Sequence, residues 1–213
     1  MQSSPSTTPG TADVGGKGQT ASFCRHAVLR DGTRVRMRAI RPDDKERLRL
    51  AFEDLSPESV YQRFFHPVKE LTTGELRHLT ELDFRDHVGL VLTIKEDTCE
   101  RLIAVCRFVR VTPCADRAEV GFAVADEYQH RGAATLLLQQ LVAVARGCGI
   151  REFVAQTLGE NLDMVRVFQN SGLPLRQRIE NGIRHVALTL TPERRRIADC
   201  DRQSACTCRV LSE

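Results

Sequence analysis

Alternation between apolar and polar side chains divides much of the chain into short strands. The first run, residues 33–40, sets three arginines against apolar neighbours and predicts a half-exposed strand. Three further strands are predicted at about 87–95, 101–111 and 117–125, with charged or proline-containing turns between them. Such spacing is typical of an antiparallel meander. The arginine face of the first strand indicates either a solvated edge strand that resists aggregation or a surface for an acidic partner.

Apolar positions spaced three to four residues apart predict three helices before residue 87. Asp43 with Glu46 fits an N-cap and its capping-box partner at the start of the first helix. Ser56-Pro57 begins the second helix, because proline suits the first helical position. Thr72 with Glu75 forms another capping box and begins the third.

The second half of the chain mixes helices with strands. A leucine-rich helix is predicted at 132–147, ended by glycines, and a shorter helix at 162–170. A strand at 153–157 lies between them, and two last strands flank Asn181-Gly182, which is a strong hairpin signal. Together these elements predict an α/β (α+β) fold: a mixed, mostly antiparallel sheet of about seven strands with helices on both faces.

The two ends of the chain differ from its centre in composition. Residues 1–22 are rich in Ser, Thr, Pro and Gly and are predicted to be disordered, and residues 193–213 are predicted to form a flexible, cysteine-containing tail. A single domain is expected at 23–192. A net charge of +3 gives no basis for nucleic-acid binding, and no apolar run resembles a signal peptide or a membrane span. We therefore expect a cytoplasmic protein without nucleic-acid or membrane partners.

The chain has eight cysteines, and their spacing argues against a disulfide framework. Some occur singly in core-like segments, which is typical of buried thiols in a reducing compartment. These are Cys99, Cys106, Cys114 and Cys148. The cysteines of the tail (Cys200, Cys206 and Cys208) have no nearby histidine and no CxxC pair, so free thiols are expected there and no metal site.

A basic stretch with one glycine, Gln129-His-Arg-Gly-Ala-Ala134, directly precedes the leucine-rich helix. The start of a helix has unpaired N–H donors and a partial positive charge, and both attract phosphate. Small residues there have two interpretations, an anion-binding turn or simply close packing. Because the chain lacks both the GxxxxGK[ST] loop and the full GxGxxG pattern, a nucleotide triphosphatase and a dinucleotide dehydrogenase are poorly supported.

The strand before this turn has two different faces. Its even-numbered residues are apolar, whereas Glu119, Gly121 and Ala123 share the opposite face. A carboxylate followed by two small residues predicts a shallow groove that has an acid at one end and is directed toward the helix start. Glu119 also fits a plain solvent-facing strand position.

Residues 124–134 resemble the [Q/R]xxGx[G/A] acyl-CoA signature of the GNAT superfamily of N-acetyltransferases. The order of elements agrees over about 30–190, through Asn161 to the ending Ser171-Gly172-Leu173. The resemblance implies a GNAT-type sheet whose fourth and fifth strands splay apart, with the pantetheine of acetyl-CoA in the gap. It also implies acetyl-CoA as cosubstrate, an amine as acceptor and no metal. It leaves open whether the chain is a monomer or a dimer.

The N-terminal half looks like the acetyltransferase domain of bacterial Pat-type protein lysine acetyltransferases. The matching segments are Arg41-Pro-Asp-Asp, Leu55-Ser-Pro-Glu-Ser-Val-Tyr-Gln-Arg-Phe-Phe65, Leu71-Thr and Asp86-His87-Val. This resemblance implies a protein lysine as acceptor. Those proteins often carry a fused regulatory or acyl-CoA-synthetase-like domain, and no such domain is evident in this sequence.

The resemblance also implies roles for particular residues. Glu119 lies where the family places its general base, and a base is needed because a lysine ammonium has a pKa near ~10.4. The expected coenzyme contacts are Phe122, Ala123, Val124, Gln129, His130, Arg131, Gly132, Ala133, Ala134, Thr135, Asn161 and Phe168. For Asn161 a helix N-cap is an equally physical role.

One position departs from the family pattern. The tyrosine that often protonates the leaving thiolate is replaced by Phe168, and the chain's tyrosines, Tyr61 and Tyr128, lie elsewhere. We expect water to suffice, because a thiol with a pKa near ~8.5 is a tolerable leaving group. The ring of Phe168 is then expected to line the thioester end of the tunnel.

Several features remain open at this stage. The aromatic group on the second helix, Tyr61, Phe64, Phe65 and His66, fits core packing or an active-site lid. His87 is interpreted as structural. A small-amine acceptor is an alternative, with the acidic stretch Glu81, Asp83 and Asp86 as a pocket for a cation. A catalytically silent acyl-CoA sensor that binds a partner protein is another, and Glu119 argues against it.

Overall fold

The computed structural model describes residues 21–96, 99–111 and 116–190, and one eight-stranded sheet runs through them. The strands are β1 (Cys24–Val28), β2 (Arg34–Ala39), β3 (His87–Glu96), β4 (Cys99–Arg110), β5 (Arg117–Val124), β6 (Glu152–Leu158), β7 (Leu175–Glu180) and β8 (Ile183–Thr189). The helices are α1 (Lys45–Glu53), α2 (Pro57–Phe64), α3 (Thr73–Thr80), α4 (Ala133–Gly147) and α5 (Leu162–Gln169).

The strand order is β1-β2-β3-β4-β5-β6-β8-β7, and every neighbouring pair is antiparallel except β5 with β6. The predicted fold class is confirmed. The predicted count of about seven strands missed β1, whose short sequence has no clear alternation. The hairpin at Asn181-Gly182 is confirmed, and both residues have the positive φ, 51° and 77°, that a two-residue turn of this kind requires.

The two faces of the sheet carry different helices. On one face α4 packs its leucines, among them Leu137 and Leu141, against Phe108 and Phe153 of the strands. The opposite face is covered by α1, α2 and α3. Both faces of the central strands are therefore buried, and the cavity described below opens where two of these strands separate.

The predicted arginine face of β2 is exposed at Arg34 and partly exposed at Arg36, but the interpretation as an edge strand and the exposure of Arg38 are wrong. This strand lies between β1 and β3 rather than at an edge, and Arg38 is 1% exposed. Its guanidinium donates to both carboxylate oxygens of Asp44, at 2.6 and 2.7 Å, and to Glu100 at 2.8 Å. A strand position that alternation assigns to solvent thus carries a buried ionic network, because its acidic partners come from other elements.

The helix starts agree with the sequence in two of three cases. Ser56 Oγ accepts the N–H of Ser59 at the start of α2, and the Thr72–Glu75 capping box at the start of α3 is complete. The cap predicted from Asp43 is wrong. A 3-10 turn, Pro42–Asp44, precedes α1, and the inward-facing Asp44 accepts the backbone N–H of Arg41 at 2.9 Å.

The cysteine predictions have mixed outcomes. Cys106 is fully buried, and burial raises the pKa of its thiol. Cys148 is partly buried, whereas Cys99 is exposed, so its assignment to the core is wrong. Cys114, the tail cysteines and nearly all of both predicted tails lie outside the described residues.

Candidate functional site

The parallel strands β5 and β6 pair at only three positions, Arg117 with Glu152, Ala118 with Phe153 and Glu119 with Val154. Beyond Glu119 both strands continue, but they no longer bond each other. The splay that the family resemblance implied is therefore present. Backbone groups along the inner edges of the gap are left for an extended ligand to pair with.

A cavity of about 690 Å³ occupies this gap. Its wall includes Glu119 near the last paired position and residues 132–135 at the start of α4. Side chains from α2 and α5 complete the lining. The predicted groove, with an acid at one end and a helix start at the other, is thus one continuous space.

The turn before α4 has an unusual backbone. His130 and Gly132 have φ of 59° and 91°, in the left-handed region that glycine tolerates best. No side chain caps the helix in the part of the chain that the structure describes. The N–H donors of the first helical turn therefore remain available, and a partial positive charge accompanies them.

Most of the predicted coenzyme contacts line this one cavity. They are Phe122, Ala123, Val124, Gln129, His130, Gly132, Ala133, Ala134, Thr135, Asn161 and Phe168. Glu119, the predicted base, lines it too and is exposed to solvent. Whether these residues contact a coenzyme remains a prediction.

Arg131 is the predicted contact whose side chain lies elsewhere. Its guanidinium pairs with Asp31 at 2.6 Å and stacks over the ring of Tyr128 at 5.1 Å. Arg30, which sequence reasoning did not select, lines the cavity instead and lies against Gly132. A basic side chain therefore reaches the turn from a residue that is distant in sequence.

The side chains of Gln129 and Ser59 connect the turn before α4 to α2. Gln129 Nε2 donates to Asp126 at 2.8 Å and to Ser59 Oγ at 3.1 Å. Asp126 also accepts the backbone N–H of Ser56 at 2.9 Å. Gln129 therefore holds α2 beside the cavity.

Asn161 connects α2 to the other side of the gap. Its Oδ1 accepts the N–H of Met164 at 3.1 Å, so the N-cap role is real. Its Nδ2 donates to Gln62 Oε1 of α2 at 3.2 Å. Helix α2 thus spans the gap between β5 and β6 and covers it. The sequence did not predict that α2 covers the gap. Only the polar residues of α2 could have indicated it.

Phe168 lies in the wall of the cavity. It is 1% exposed and meets the ring of Phe122 edge to face, with centroids 6.2 Å apart. Of the two tyrosines, Tyr61 is exposed on α2, whereas Tyr128 lines the cavity near the turn.

Arg63 of α2 is a cavity residue that the sequence did not reveal. Its guanidinium lies over Gly121, so close that a Cβ there would be 2.8 Å from Nη2. Burial lowers the pKa of Arg63, and the negative charge of Glu119 opposes that shift. The predicted base therefore has a cationic neighbour. The sequence feature that indicates this position is Gly121, because a residue without a side chain leaves space above the strand.

The acidic stretch considered as a cation pocket does not reach the cavity. Glu81 pairs with Lys45 at 2.7 Å, and Asp86 pairs with Arg110 at 2.7 Å. Asp83 accepts three backbone N–H groups in its own loop. These carboxylates stabilise local structure, so the observation that favoured a small-amine pocket is lost.

The aromatic group of α2 serves two purposes. Phe64 packs against Phe52 of α1 as core, with ring centroids 5.9 Å apart. Phe65 ends the helix with φ of 62° and lines the cavity. Tyr61 and His66 are exposed.

His87 lies outside the cavity and packs against a second histidine. Its ring centroid is 5.0 Å from that of His78. Burial is the main cause that lowers the pKa of His87 to about 4, so its imidazole is neutral. Within the described residues its enclosed Nε2 has no hydrogen-bond partner.

Metal and membrane features were sought in residues 21–96, 99–111 and 116–190. No group of three or more His, Cys, Asp or Glu side chains there could hold a metal ion. No helix in the same ranges is long and apolar enough to cross a membrane.

Known proteins share this architecture and part of the sequence. The acetyltransferase (GNAT) domain family matches residues 34–174. Acetyltransferase Pat of Mycolicibacterium smegmatis is 35% identical over 144 residues, covering 68% of this chain and 42% of that protein. An acetyltransferase of Pseudomonas aeruginosa is 30% identical over 137 residues, covering 64% of this chain and 73% of that protein. The GNAT domain of S. lividans PAT is 39% identical, with a TM-score of 0.71 over 78% of this chain and 96% of that domain. The chain thus spans less than half of the mycobacterial relative's length.

Proposed function

Since this chain belongs to the GNAT family of acetyltransferases, we propose that it transfers an acetyl group from acetyl-CoA to the side-chain amine of a lysine in a protein. One observation carries the proposal. The cavity where β5 and β6 separate joins an uncapped helix start, at residues 132–135, to the carboxylate of Glu119. An anionic coenzyme with a reactive thioester needs both features.

The coenzyme is proposed to bind mainly through backbone groups. The N–H donors at residues 130–135 would hold the diphosphate, because a helix start offers both donors and positive charge. The pantetheine would follow β5 at residues 122–124, where the inner edge of the strand has lost its neighbour. Asn161 and Phe168 would line the far wall.

Glu119 is proposed as the general base. The lysine nitrogen, once neutral, attacks the thioester carbon, the carbon–sulfur bond breaks and coenzyme A leaves as a thiolate. The proton lost by the amine passes to Glu119, directly or through water. Because Phe168 cannot donate a proton, the thiolate would be protonated by water.

The protein acceptor rests on the resemblance of the N-terminal half to Pat-type lysine acetyltransferases. The segments that carry it include the whole of α2, which covers the cavity. A small amine remains the other acceptor class, but the acidic stretch that favoured it lies elsewhere.

Transfer of labelled acetyl groups tests this proposal. The protein is incubated with labelled acetyl-CoA and either a lysine-peptide array or a panel of small amines, and thiol release is followed in parallel. We expect label on peptide lysines and thiol release that depends on the peptide. Label on small amines alone would contradict the protein acceptor, and binding of acetyl-CoA without transfer to any acceptor would favour a silent sensor.

A further inference from the structure

Arg63 lies near Glu119, and Arg107 lies near Arg63. Across residues 21–96, 99–111 and 116–190, neither Arg63 nor Arg107 makes a hydrogen bond or an ion pair within 4.0 Å. The ring of Phe64 lies 5.3 Å from Cζ of Arg63, but a ring face satisfies none of the planar N–H donors fully. Both guanidinium groups are therefore left with free donors, and Arg63 presents its donors at the acyl end of the cavity.

The backbone gives these side chains their place. Arg107 lies on β4, directly opposite Gly89 of β3 and Gly121 of β5. The space above Gly89 is filled by Ile40 and Leu82, which closes that side of Arg107 with apolar side chains. Arg63 reaches down from α2 into the space above Gly121. The two positive charges consequently meet on the face of the sheet that also carries Glu119.

This arrangement is energetically costly for the protein alone. Burial lowers the pKa of Arg107 to about 9, and the positive charge of Arg63 contributes to that shift. Two other arginines show the usual arrangement: Arg38 binds Asp44 and Glu100, and Arg101 binds three carboxylates. An anion bound at Arg63 would relieve the repulsion between the two arginines and supply the acceptor atoms that their donors lack.

The donors of Arg63 are accessible from the large cavity. Among the described residues, the enclosed polar side-chain atoms without a partner belong to His87, Thr157 and Arg184, so the nitrogens of Arg63 and Arg107 still reach solvent. Arg63 lines the large cavity, and together with Arg107 it lines an adjoining space of about 50 Å³. An anion in the large cavity would therefore contact Arg63 directly, with Arg107 behind it.

We propose that Arg63, supported by the charge of Arg107, binds a carboxylate group of a reacting molecule next to the thioester. This inference rests on the proposed function and deepens it by naming a substrate class. The carboxylate has two possible sources. It is either the free end of a dicarboxylic acyl group on the donor, or an acidic side chain beside the acceptor lysine. A planar guanidinium suits both, because it binds carboxylates through two parallel hydrogen bonds.

The donor source is tested by binding of unreactive coenzyme A thioethers. One analogue ends in a carboxylate and the other, of the same length, ends in a methyl group. We expect the wild-type protein to bind the carboxylate analogue at least about tenfold more tightly, and the Arg63→Met variant to lose the preference. Arg63→Lys should keep only part of it, since an ammonium lacks the planar pair of donors.

The acceptor source is tested with acetyl-CoA and paired lysine peptides. The peptides differ only in a glutamate or a glutamine next to the lysine. If the acceptor supplies the carboxylate, the glutamate peptide has a KM at least about tenfold lower, and Arg63→Met removes the difference. Arg107→Met should reduce it without abolishing it, because Arg107 acts through its charge.

Arg77→Met is the control, because it removes an exposed arginine of α3 on the outer surface. Its thermal unfolding and its selectivity should match the wild-type protein. A carboxylate preference that disappears with Arg63 in either arm supports the inference. Equal binding and equal KM in both arms, with acetyl transfer intact, would overturn the inference and leave the proposed function standing. Failure of acetyl-CoA itself to bind would overturn both.

Discussion

The guanidinium of Arg63 fills the space that a side chain at Gly121 would need, because a Cβ there would lie 2.8 Å from Nη2. Gly121 has an ordinary strand backbone, so alanine is tolerated there conformationally. We expect Gly121→Ala to fold normally but to push Arg63 into the cavity, lowering kcat/KM for acetyl transfer by at least about tenfold. Adding Arg63→Ala removes the obstruction and should recover most of the activity when the substrates are acetyl-CoA and the glutamine peptide, which offer Arg63 no carboxylate. Strictly additive losses in the double variant would contradict this coupling.

If Glu119 is the general base, its loss should reduce turnover without weakening the binding of acetyl-CoA. Glu119→Gln keeps the shape of the side chain but cannot take a proton. We expect its affinity for acetyl-CoA, measured by calorimetry, to be unchanged and its kcat to fall by about a hundredfold or more. Glu180→Gln changes an exposed glutamate of β7 and serves as the control. A Glu119→Gln variant with wild-type kcat would remove this residue from the mechanism.

The diphosphate site predicts opposite effects of one substitution on the helix and on the ligand. Ala134 lies in the first turn of α4 and lines the cavity. Aspartate favours the first turn of a helix, so Ala134→Asp should leave Tm unchanged or raise it. The same charge repels a diphosphate, so the Kd of acetyl-CoA should rise by at least about tenfold. Gln139→Asp adds the same charge at an exposed position of α4 and should have little effect. Equal affinities in all three proteins would place the diphosphate elsewhere.

The buried network of Arg38 predicts a large loss of stability when one partner is removed. Asp44→Asn leaves the buried guanidinium with Glu100 as its carboxylate partner, together with the carbonyl of Ala39. We expect the free energy of unfolding in urea to fall by about 3–5 kcal/mol. A loss below about 1 kcal/mol would show that Glu100 compensates fully.

The same network predicts sensitivity to acid. Burial alone would raise the pKa of Glu100, but hydrogen bonds from Arg38 and Thr93, with the charge of Arg38, lower it to about 2. An unfolded glutamate titrates near about 4.3. The stabilisation is therefore complete above that pH and disappears as the pH falls through about 2. Glu100→Gln should flatten the fall in stability below about pH 5. An unchanged slope would contradict the role of this carboxylate.

Local signals in the sequence predicted the local parts of the fold. The caps at Ser56 and Thr72 and the turn at Asn181-Gly182 depend on residues within a few positions of each other, and all three are present. The amphipathic helix α4 and the central strands were also predictable, because their apolar residues recur at regular spacing along the chain. The prediction for Asp43 failed because Arg38 attracts the neighbouring Asp44 into the core instead.

Contacts between side chains that are distant in sequence could not be predicted from these local patterns. Arg131 was expected at the coenzyme, but its side chain is held by Asp31, a hundred positions away. Arg63 contacts a glycine on a strand that is distant in sequence. An arginine gives no periodic signal of where its long side chain ends. The positions of Glu119 and of the helix start were predictable, whereas the cationic surroundings of Glu119 were not.

The crystal structure of this protein with acetyl-CoA tests the central claim most directly. We expect the diphosphate on the N–H groups at the start of α4, the pantetheine between β5 and β6, and the thioester carbon close to Glu119. A coenzyme bound outside this gap, or a structure in which the turn at Gly132 contacts no phosphate, would contradict the account.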